Sequence, residues 1–318
     1  MDKEKYQIQI GGRDLTADFK PLAEQANGSV MLRYGDTVVL AAVTMSEKDK
    51  KDELGYFPLM VFYEEKFYAA GKIGGSRYTR REGKPSDRAT LIARMIDRSI
   101  RPLFPDNLKR EVEVIVTCLS WDEENDPAVL GGLAASLALS VSDVPWNGPI
   151  SMVRVGREND QFVLNPSYAE REEGDVEIVY SGFFDGEEYL INMIEGFFEE
   201  ASNEEVLTSA EIAKKATQKL ETFQTEIIKE RGKDKINLEE ETIDEKIKNF
   251  VEGFEKKIEK AIFENKDGVL DEIEEKIEAK FTEEDLKKAK NYLDVFKKEV
   301  TRINILKENK RPDGRKDD

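Results

Sequence analysis

Histidine is missing altogether from these 318 residues, which excludes a Ser-His-Asp triad, a Cys-His pair and any histidine-ligated metal within this chain. Acid–base chemistry would fall to carboxylates, lysine or tyrosine. The single cysteine, Cys118, cannot form an internal disulfide. Its place in the alternating apolar run from Val112 predicts a buried thiol in a reducing compartment. No stretch is long and apolar enough to span a bilayer, and the opening MDKEKYQIQI is not a signal peptide. These absences point to a cytoplasmic protein with no membrane partner.

Positive charge is also in short supply. Forty-nine Lys and Arg face 67 Asp and Glu, giving a net charge of −18 and a pI near 4.8, which argues against nucleic-acid binding over the whole surface. Much of the acid falls in the Glu- and Lys-rich C-terminal third. One stretch opposes this field. Between Ala70 and Phe104 the chain carries Arg77, Arg80, Arg81, Lys84, Arg88, Arg94, Arg98 and Arg101.

The spacing of Leu91, Ile92, Met95, Ile96 and Ile100, after Pro85, Ser86 and Asp87, predicts a helix from about Ser86 to Ile100. Arg94, Arg98 and Arg101 recur at helical intervals on its other face. A guanidinium grips phosphate through two parallel hydrogen bonds and stacks on bases, so arginine at this density suggests nucleic acid or nucleotide. The preceding segment sets Arg77, Tyr78, Arg80 and Arg81 among glycines, which suits single-stranded nucleic acid held by stacking and phosphate contacts. The alternative is that these arginines pair with Asp97, Asp87, Glu82 and other nearby acids. GKIGGS lacks the glycine spacing of a P-loop.

Along the chain, Tyr6 to Ile10, Ser29 to Tyr34, Thr37 to Thr44, Phe57 to Tyr63 and Val112 to Cys118 read as strands, with a hairpin at Gly35-Asp36. Asn125-Asp126-Pro127 opens a helix through Ser140 whose small residues allow close approach to a sheet. Its glycine pair leaves a phosphate cradle as the other reading. Strands resume at Ile150 to Val155, Gln161 to Leu164, Val176 to Tyr180 and Tyr189 to Glu195. This mixture of hairpins and helices indicates an α+β fold.

After about Glu199 the pattern is helical only. Ser202 with Glu205 forms a capping box ahead of an apolar face of Ile212, Ala216, Leu220, Phe223 and Ile227. Amphipathic helices follow over Ile243 to Ile262, Leu270 to Phe281 and Leu286 to Ile303. They predict a small bundle with solvated Glu and Lys faces rather than a coiled coil or a metal site.

Several strings occur in an order that resembles the first core domain of bacterial polynucleotide phosphorylases. They are Tyr34 to Ala41, Phe57-Pro58-Leu59, Gly71-Lys72-Ile73, Arg81 to Asp87, Leu91 to Arg98, Ile100 to Pro105, Glu124 to Pro127, Pro145 to Ile150 and Val163 to Pro166. The resemblance implies an RNase PH-like core (ribosomal protein S5 domain 2-like, with a mixed sheet and packed helices) over residues 1–200. An all-α helical domain over 201–310 and the start of a second core at 311–318 complete the expected organisation. It implies phosphorolysis of single-stranded RNA from the 3′ end to nucleoside diphosphates, reversible as polymerisation, in a homotrimer that can join an RNA-degradation complex.

In that family the Arg77 to Glu82 segment lines a pore constriction and contacts RNA, usually through two adjacent phenylalanines. Tyr78 and Thr79 stand here instead, with one extra residue. The expected RNA-binding residues are therefore Arg77, Tyr78, Arg80, Arg81, Arg94, Arg98 and Arg101. The phosphate site and the Mg²⁺-dependent carboxylate of the full-length enzyme belong to its second core. Hence no catalytic or metal-binding residue is assigned here, and the 318 residues alone are expected to be inactive. A stand-alone, non-catalytic RNA-binding or trimerisation module is the alternative.

Overall fold

A computed structural model describes residues 4–49, 57–74, 83–238, 243–264, 266 and 268–315. They form two compact units, Met1–Glu239 and Glu240–Asp318.

The first unit is built on two sheets. The larger has the strand order β1-β2-β3-β4-β6-β5, comprising β1 (Lys5–Ile10), β2 (Arg13–Asp18), β3 (Gly28–Tyr34), β4 (Thr37–Asp49), β5 (Leu59–Glu65) and β6 (Arg110–Ser120). All its pairings are antiparallel except β5 with β6, which run parallel from Leu59↔Val112 to Glu65↔Cys118. The smaller, antiparallel sheet has the order β10-β9-β7-β8, from β7 (Ser151–Glu158), β8 (Gln161–Leu164), β9 (Val176–Asp185) and β10 (Glu188–Phe198). The hairpin at Gly35-Asp36 forms as the sequence indicates. Gly35 has φ 61°, and a Cβ there would lie 2.5 Å from Asn125 Nδ2. Asp122 receives the N–H groups of Asp36 and Thr37 at 3.0 and 3.1 Å.

Helix α1 (Asp87–Ile100) lies in the connection from β5 to β6. Helix α2 (Pro127–Val141) is buried at every residue and packs against both sheets. Asp126 caps it by accepting from Ala128 N at 2.9 Å, and proline opens its first turn. The small residues of α2 serve packing. A Cβ on Gly28 of β3 would lie 2.3 Å from the Ala138 carbonyl oxygen of α2, so only glycine permits this approach of strand and helix.

The short helix α3 (Tyr168–Glu173) opens with a complete capping box between Ser167 and Glu170. Helix α4 (Asn203–Arg231) carries the expected Ser202–Glu205 box. Its Ala213, Ala216, Leu220, Phe223 and Ile227 join the core of the sheets. Gln224 accepts from Ser136 Oγ at 2.8 Å and donates to the Ile150 carbonyl at 2.9 Å. Helix α4 thus packs with the sheets, and the division between units falls after residue 239 rather than at 200. The segment after α4 stays pinned to the C-terminal end of α2, where Lys235 Nζ donates to the carbonyls of Leu139, Ser140 and Ser142 at 2.8, 3.1 and 2.7 Å.

The second unit consists of α5 (Glu245–Glu252), α6 (Glu255–Phe263), α7 (Val269–Lys280) and α8 (Glu283–Glu308). Their core is formed by Ile247, Val251, Ile258, Ile273, Ile277, Leu293, Phe296 and Val300. The one helix expected over Ile243 to Ile262 is two. The chain leaves helical geometry at Gly253-Phe254, where Phe254 takes φ −98° and ψ 5°. Apolar spacing carries across this break, which is why periodicity alone joins the two pieces. No helix among the described residues is long and apolar enough to cross a membrane.

Candidate nucleic-acid interface

Helix α1 forms where the sequence predicts it, with Ser86 Oγ accepting from Ala89 N at 3.1 Å. It buries Ala89, Ile92, Met95, Ile96 and Ile100 and turns Leu91, Arg94 and Arg98 outward. Its packed neighbours include β5, α2 and β10.

The three expected arginines of this helix and its end have different surroundings. Arg94 is exposed. Arg98 pairs with Glu195 of β10, and both side chains remain more than half exposed. Such a pair contributes little to stability. Arg101 faces the fold. Its Nε and Nη2 hold Asp97 at 2.8 and 2.6 Å, and its nitrogens reach the carbonyls of Phe57 and Leu59 at 3.3 and 3.1 Å. The guanidinium carbon also stands 5.8 Å from the centre of the Phe57 ring. Here the alternative of pairing with nearby acid is the arrangement found, and Arg101 clamps the end of α1 to the start of β5. Arg77, Tyr78, Arg80 and Arg81 lie outside the described residues.

The chain on either side of that segment borders a cleft of about 560 Å³. A 3₁₀ turn, Phe67–Ala70, enters the segment and ends at Gly71, whose φ of 65° reverses the chain. Gly83, Lys84, Pro85 and Ser86 leave it toward α1. Tyr63, Ala69, Ala89, Cys118 and Pro127 give the cleft apolar surface, and Phe67, Trp121 and Tyr168 supply rings. Lys66, Lys72, Lys84 and Arg88 oppose Glu64 and Glu65 around it. Burial pushes the Cys118 thiol up to about 12, so it remains a neutral, inert part of this wall.

Behind the cleft lies an ionic cluster not anticipated from the sequence. Arg88 donates to Tyr168 Oη at 2.7 Å and stands 3.9 Å from Asp126. Asp126 is also gripped by Arg154 and by Arg171, the latter at 3.2 Å. Both of these arginines bind Glu177, with Arg171 Nε at 2.7 Å. Burial alone would raise the Asp126 carboxyl; Arg154, the Ala128 N–H, Arg171 and Arg88 outweigh it and hold the group below the usual carboxylate range. Three guanidinium groups thus face Asp126 and Glu177, and Glu65 on the cleft wall adds a third carboxylate near Arg88. Asp126 and Glu177 are committed to these arginines, and no group of three or more His, Cys, Asp or Glu among the described residues is arranged to hold a metal ion. The sequence signals are slight: charged residues, Arg154 and Glu177, inside two apolar strand runs, and the capping-box pattern Ser167-Tyr168-Ala169-Glu170.

Comparison with known proteins agrees with this architecture. Residues 11–145 match the 3′ exoribonuclease family, domain 1, and residues 148–216 match domain 2 of the same family. The chain is 39% identical to the polyribonucleotide nucleotidyltransferase of Bacillus subtilis over 99% of its length, covering 45% of that protein. It is 40% identical to that of Caldicellulosiruptor bescii over its whole length, covering 46% of that relative. It therefore spans just under half the length of these curated relatives. Rice Rrp46 superimposes with a TM-score of 0.54 at 16% identity, covering 72% of this chain and 96% of the rice protein, which supports the fold. The chain belongs to the 3′ exoribonuclease (RNase PH) family, and its likeness is to the N-terminal part of polyribonucleotide nucleotidyltransferases.

Proposed function

We propose that this chain is the RNA-guiding and ring-building part of a cytoplasmic polynucleotide phosphorylase. The whole enzyme shortens single-stranded RNA from the 3′ end by phosphorolysis, releasing nucleoside diphosphates, and runs in reverse as a polymerase. The observation that carries the reading is the outer face of α1. Arg94 stands exposed there beside an Arg98 whose partner is itself exposed, on the helix that follows in sequence the segment bearing Arg77, Tyr78, Arg80 and Arg81. In an otherwise acidic chain, this gives a strand one confined basic track.

The role is positioning. Arg80 and Arg81 hold the incoming strand, Tyr78 stacks on a base, and Arg94 and Arg98 take phosphates further along, orienting the strand without themselves breaking a bond. Arg101 supports the helix. A homotrimeric ring suits the apolar side chains that the edge strands leave exposed, Met60 and Phe62 on β5 and Ile194 and Phe197 on β10. Bond breaking with Mg²⁺ and inorganic phosphate is assigned to the longer protein.

The test is phosphate-dependent release of nucleoside diphosphate from poly(A) with Mg²⁺, comparing the 318-residue chain with a version extended through a second core. Activity in the extended chain alone supports the reading. Release by the short chain would place catalysis among residues described here as structural, and binding of RNA with activity in neither would favour a stand-alone binding module.

A further inference from the structure

We propose that the cleft between the Phe67–Ala70 turn, the start of α1 and the Trp121–Tyr168 wall is a nucleotide-binding site, taking one base together with its phosphate. The proposal stands on the cleft itself and does not require the RNA path described above.

Size and lining come first. Its volume of about 560 Å³ falls within the roughly 300–1,000 Å³ typical of small-molecule sites. Apolar surface and rings combined with a few fixed polar groups are the composition of such sites, and a planar base is the kind of group that lies against Trp121, with Phe67, whose ring already meets Gly74, contributing at the rim. Tyr168 serves the wall differently. Its ring meets Trp121 edge-on at 5.7 Å and is covered by Arg88 and Arg171 at 5.6 and 5.0 Å, so it holds those groups in place rather than offering a face of its own.

The charges around the cleft fit a phosphate. Lys66 is matched by Glu64 at 2.7 Å, whereas Lys72 and Lys84 are exposed on opposite sides of the 75–82 segment. Arg88 is fixed by Tyr168 and balanced by Glu65 and Asp126, so the net positive charge at the cleft comes from Lys72 and Lys84. Ser86, Arg88 and Ala89 at the first turn of α1 also line the cleft, so the positive end of the helix dipole adds to the cations. A bare anion would use this charge and leave the aromatic and apolar surfaces unused; a nucleotide engages both. The same unit can come from a free nucleoside diphosphate or from one residue of an RNA strand.

Fluorescence reads the site directly. Trp121 lines the cleft, and the chain's other tryptophan, Trp146, is buried in the core. ADP, inorganic phosphate and a short oligo(A) are titrated separately into the full 318-residue chain, with calorimetry in parallel. ADP or oligo(A) should change the Trp121 signal, and Trp121→Phe should abolish that change. Reversing charge in Lys72→Glu/Lys84→Glu should weaken binding about tenfold or more with an unchanged circular dichroism spectrum. Phe67→Ser provides a second variant that reads the base rather than the phosphate. Response to ADP identifies a free-nucleotide site; response to oligo(A) alone identifies a station on the RNA strand. Arg80→Ala/Arg81→Ala should leave ADP binding intact, which separates this site from the basic segment. The proposal is overturned if neither ligand alters Trp121 fluorescence, if Lys72→Glu/Lys84→Glu and Phe67→Ser both bind as tightly as the parent, or if inorganic phosphate binds as well as ADP.

Discussion

Arg154, on an interior strand of the smaller sheet, and Asp126, the cap of the buried helix α2, meet as an ion pair in which each side chain keeps less than a tenth of its exposure. One carboxylate therefore has two duties. It terminates α2 and joins that helix to a sheet formed later in the chain. Asp126→Ala removes both and leaves guanidinium groups facing Glu177 alone, so a loss of about 3–5 kcal/mol is expected. Urea unfolding would measure it, and Asp126→Asn, which retains a capping oxygen, should recover part of the loss.

Asp122 gives the fold an acid-sensitive joint. Burial alone would raise its carboxyl, but the backbone and side-chain N–H groups of Asn125, the Glu124 N–H and the Thr37 hydroxyl bring it to about 2. Since an unfolded aspartate titrates near 3.9, this stabilisation is complete above about pH 4 and disappears as pH falls toward 2. Asp122→Asn should flatten the acid-unfolding profile across that window, as followed by circular dichroism. An unaltered profile would remove Asp122 from the explanation of acid stability.

Arg94 and Arg101 should separate cleanly in solution. Replacing Arg94 with alanine is expected to lower the log–log salt slope of oligo(A) binding by about 0.7 while the melting temperature stays put. Arg101→Ala should cost about 1–3 kcal/mol of stability, because the Phe57 and Leu59 carbonyls and Asp97 lose their shared donor. Its salt slope should match the parent. The opposite pattern would exchange the two roles.

At Gly28 the limit is space. A methyl group there meets the Ala138 carbonyl oxygen at 2.3 Å and Ser142 Cβ at 2.7 Å, so Gly28→Ala must push β3 away from α2. A destabilisation of about 2–3 kcal/mol is expected in thermal or urea unfolding, with RNA affinity per folded molecule unchanged.

What the sequence made legible was whatever its own neighbours determine. Ser86, Asp126 and Ser202 each cap a helix within a few residues, and the Gly35-Asp36 hairpin closes locally, so these features were readable from spacing. Strand β2 is not legible, because Arg13-Asp14-Leu15-Thr16 alternates too weakly without its partners in β1 and β3. The boundary between the units is not legible because a single chain does not reveal what the apolar face of α4 packs against; that face finds the sheets through Gln224, Leu220 and Phe223. The same limit concealed the ionic cluster. Arg88, Asp126, Arg154, Arg171 and Glu177 come from five separate places in the sequence, and only the closed fold brings them together. For Arg101, the partner Asp97 lay one helical turn away and was visible, but the carbonyls of Phe57 and Leu59 that fix its direction were not.

The parallel pairing of β5 with β6 carries a further consequence. Two parallel neighbours oblige the chain to travel back along the sheet between them, and the 75–82 segment and all of α1 lie on that return journey. Because every partner from Leu59↔Val112 to Glu65↔Cys118 is fixed on the sheet itself, residues can be inserted or removed between Gly74 and Gly83 without shifting a single pairing. The connection can therefore change in length and composition while the sheet keeps its register, so new side chains can be introduced there without redesigning the core.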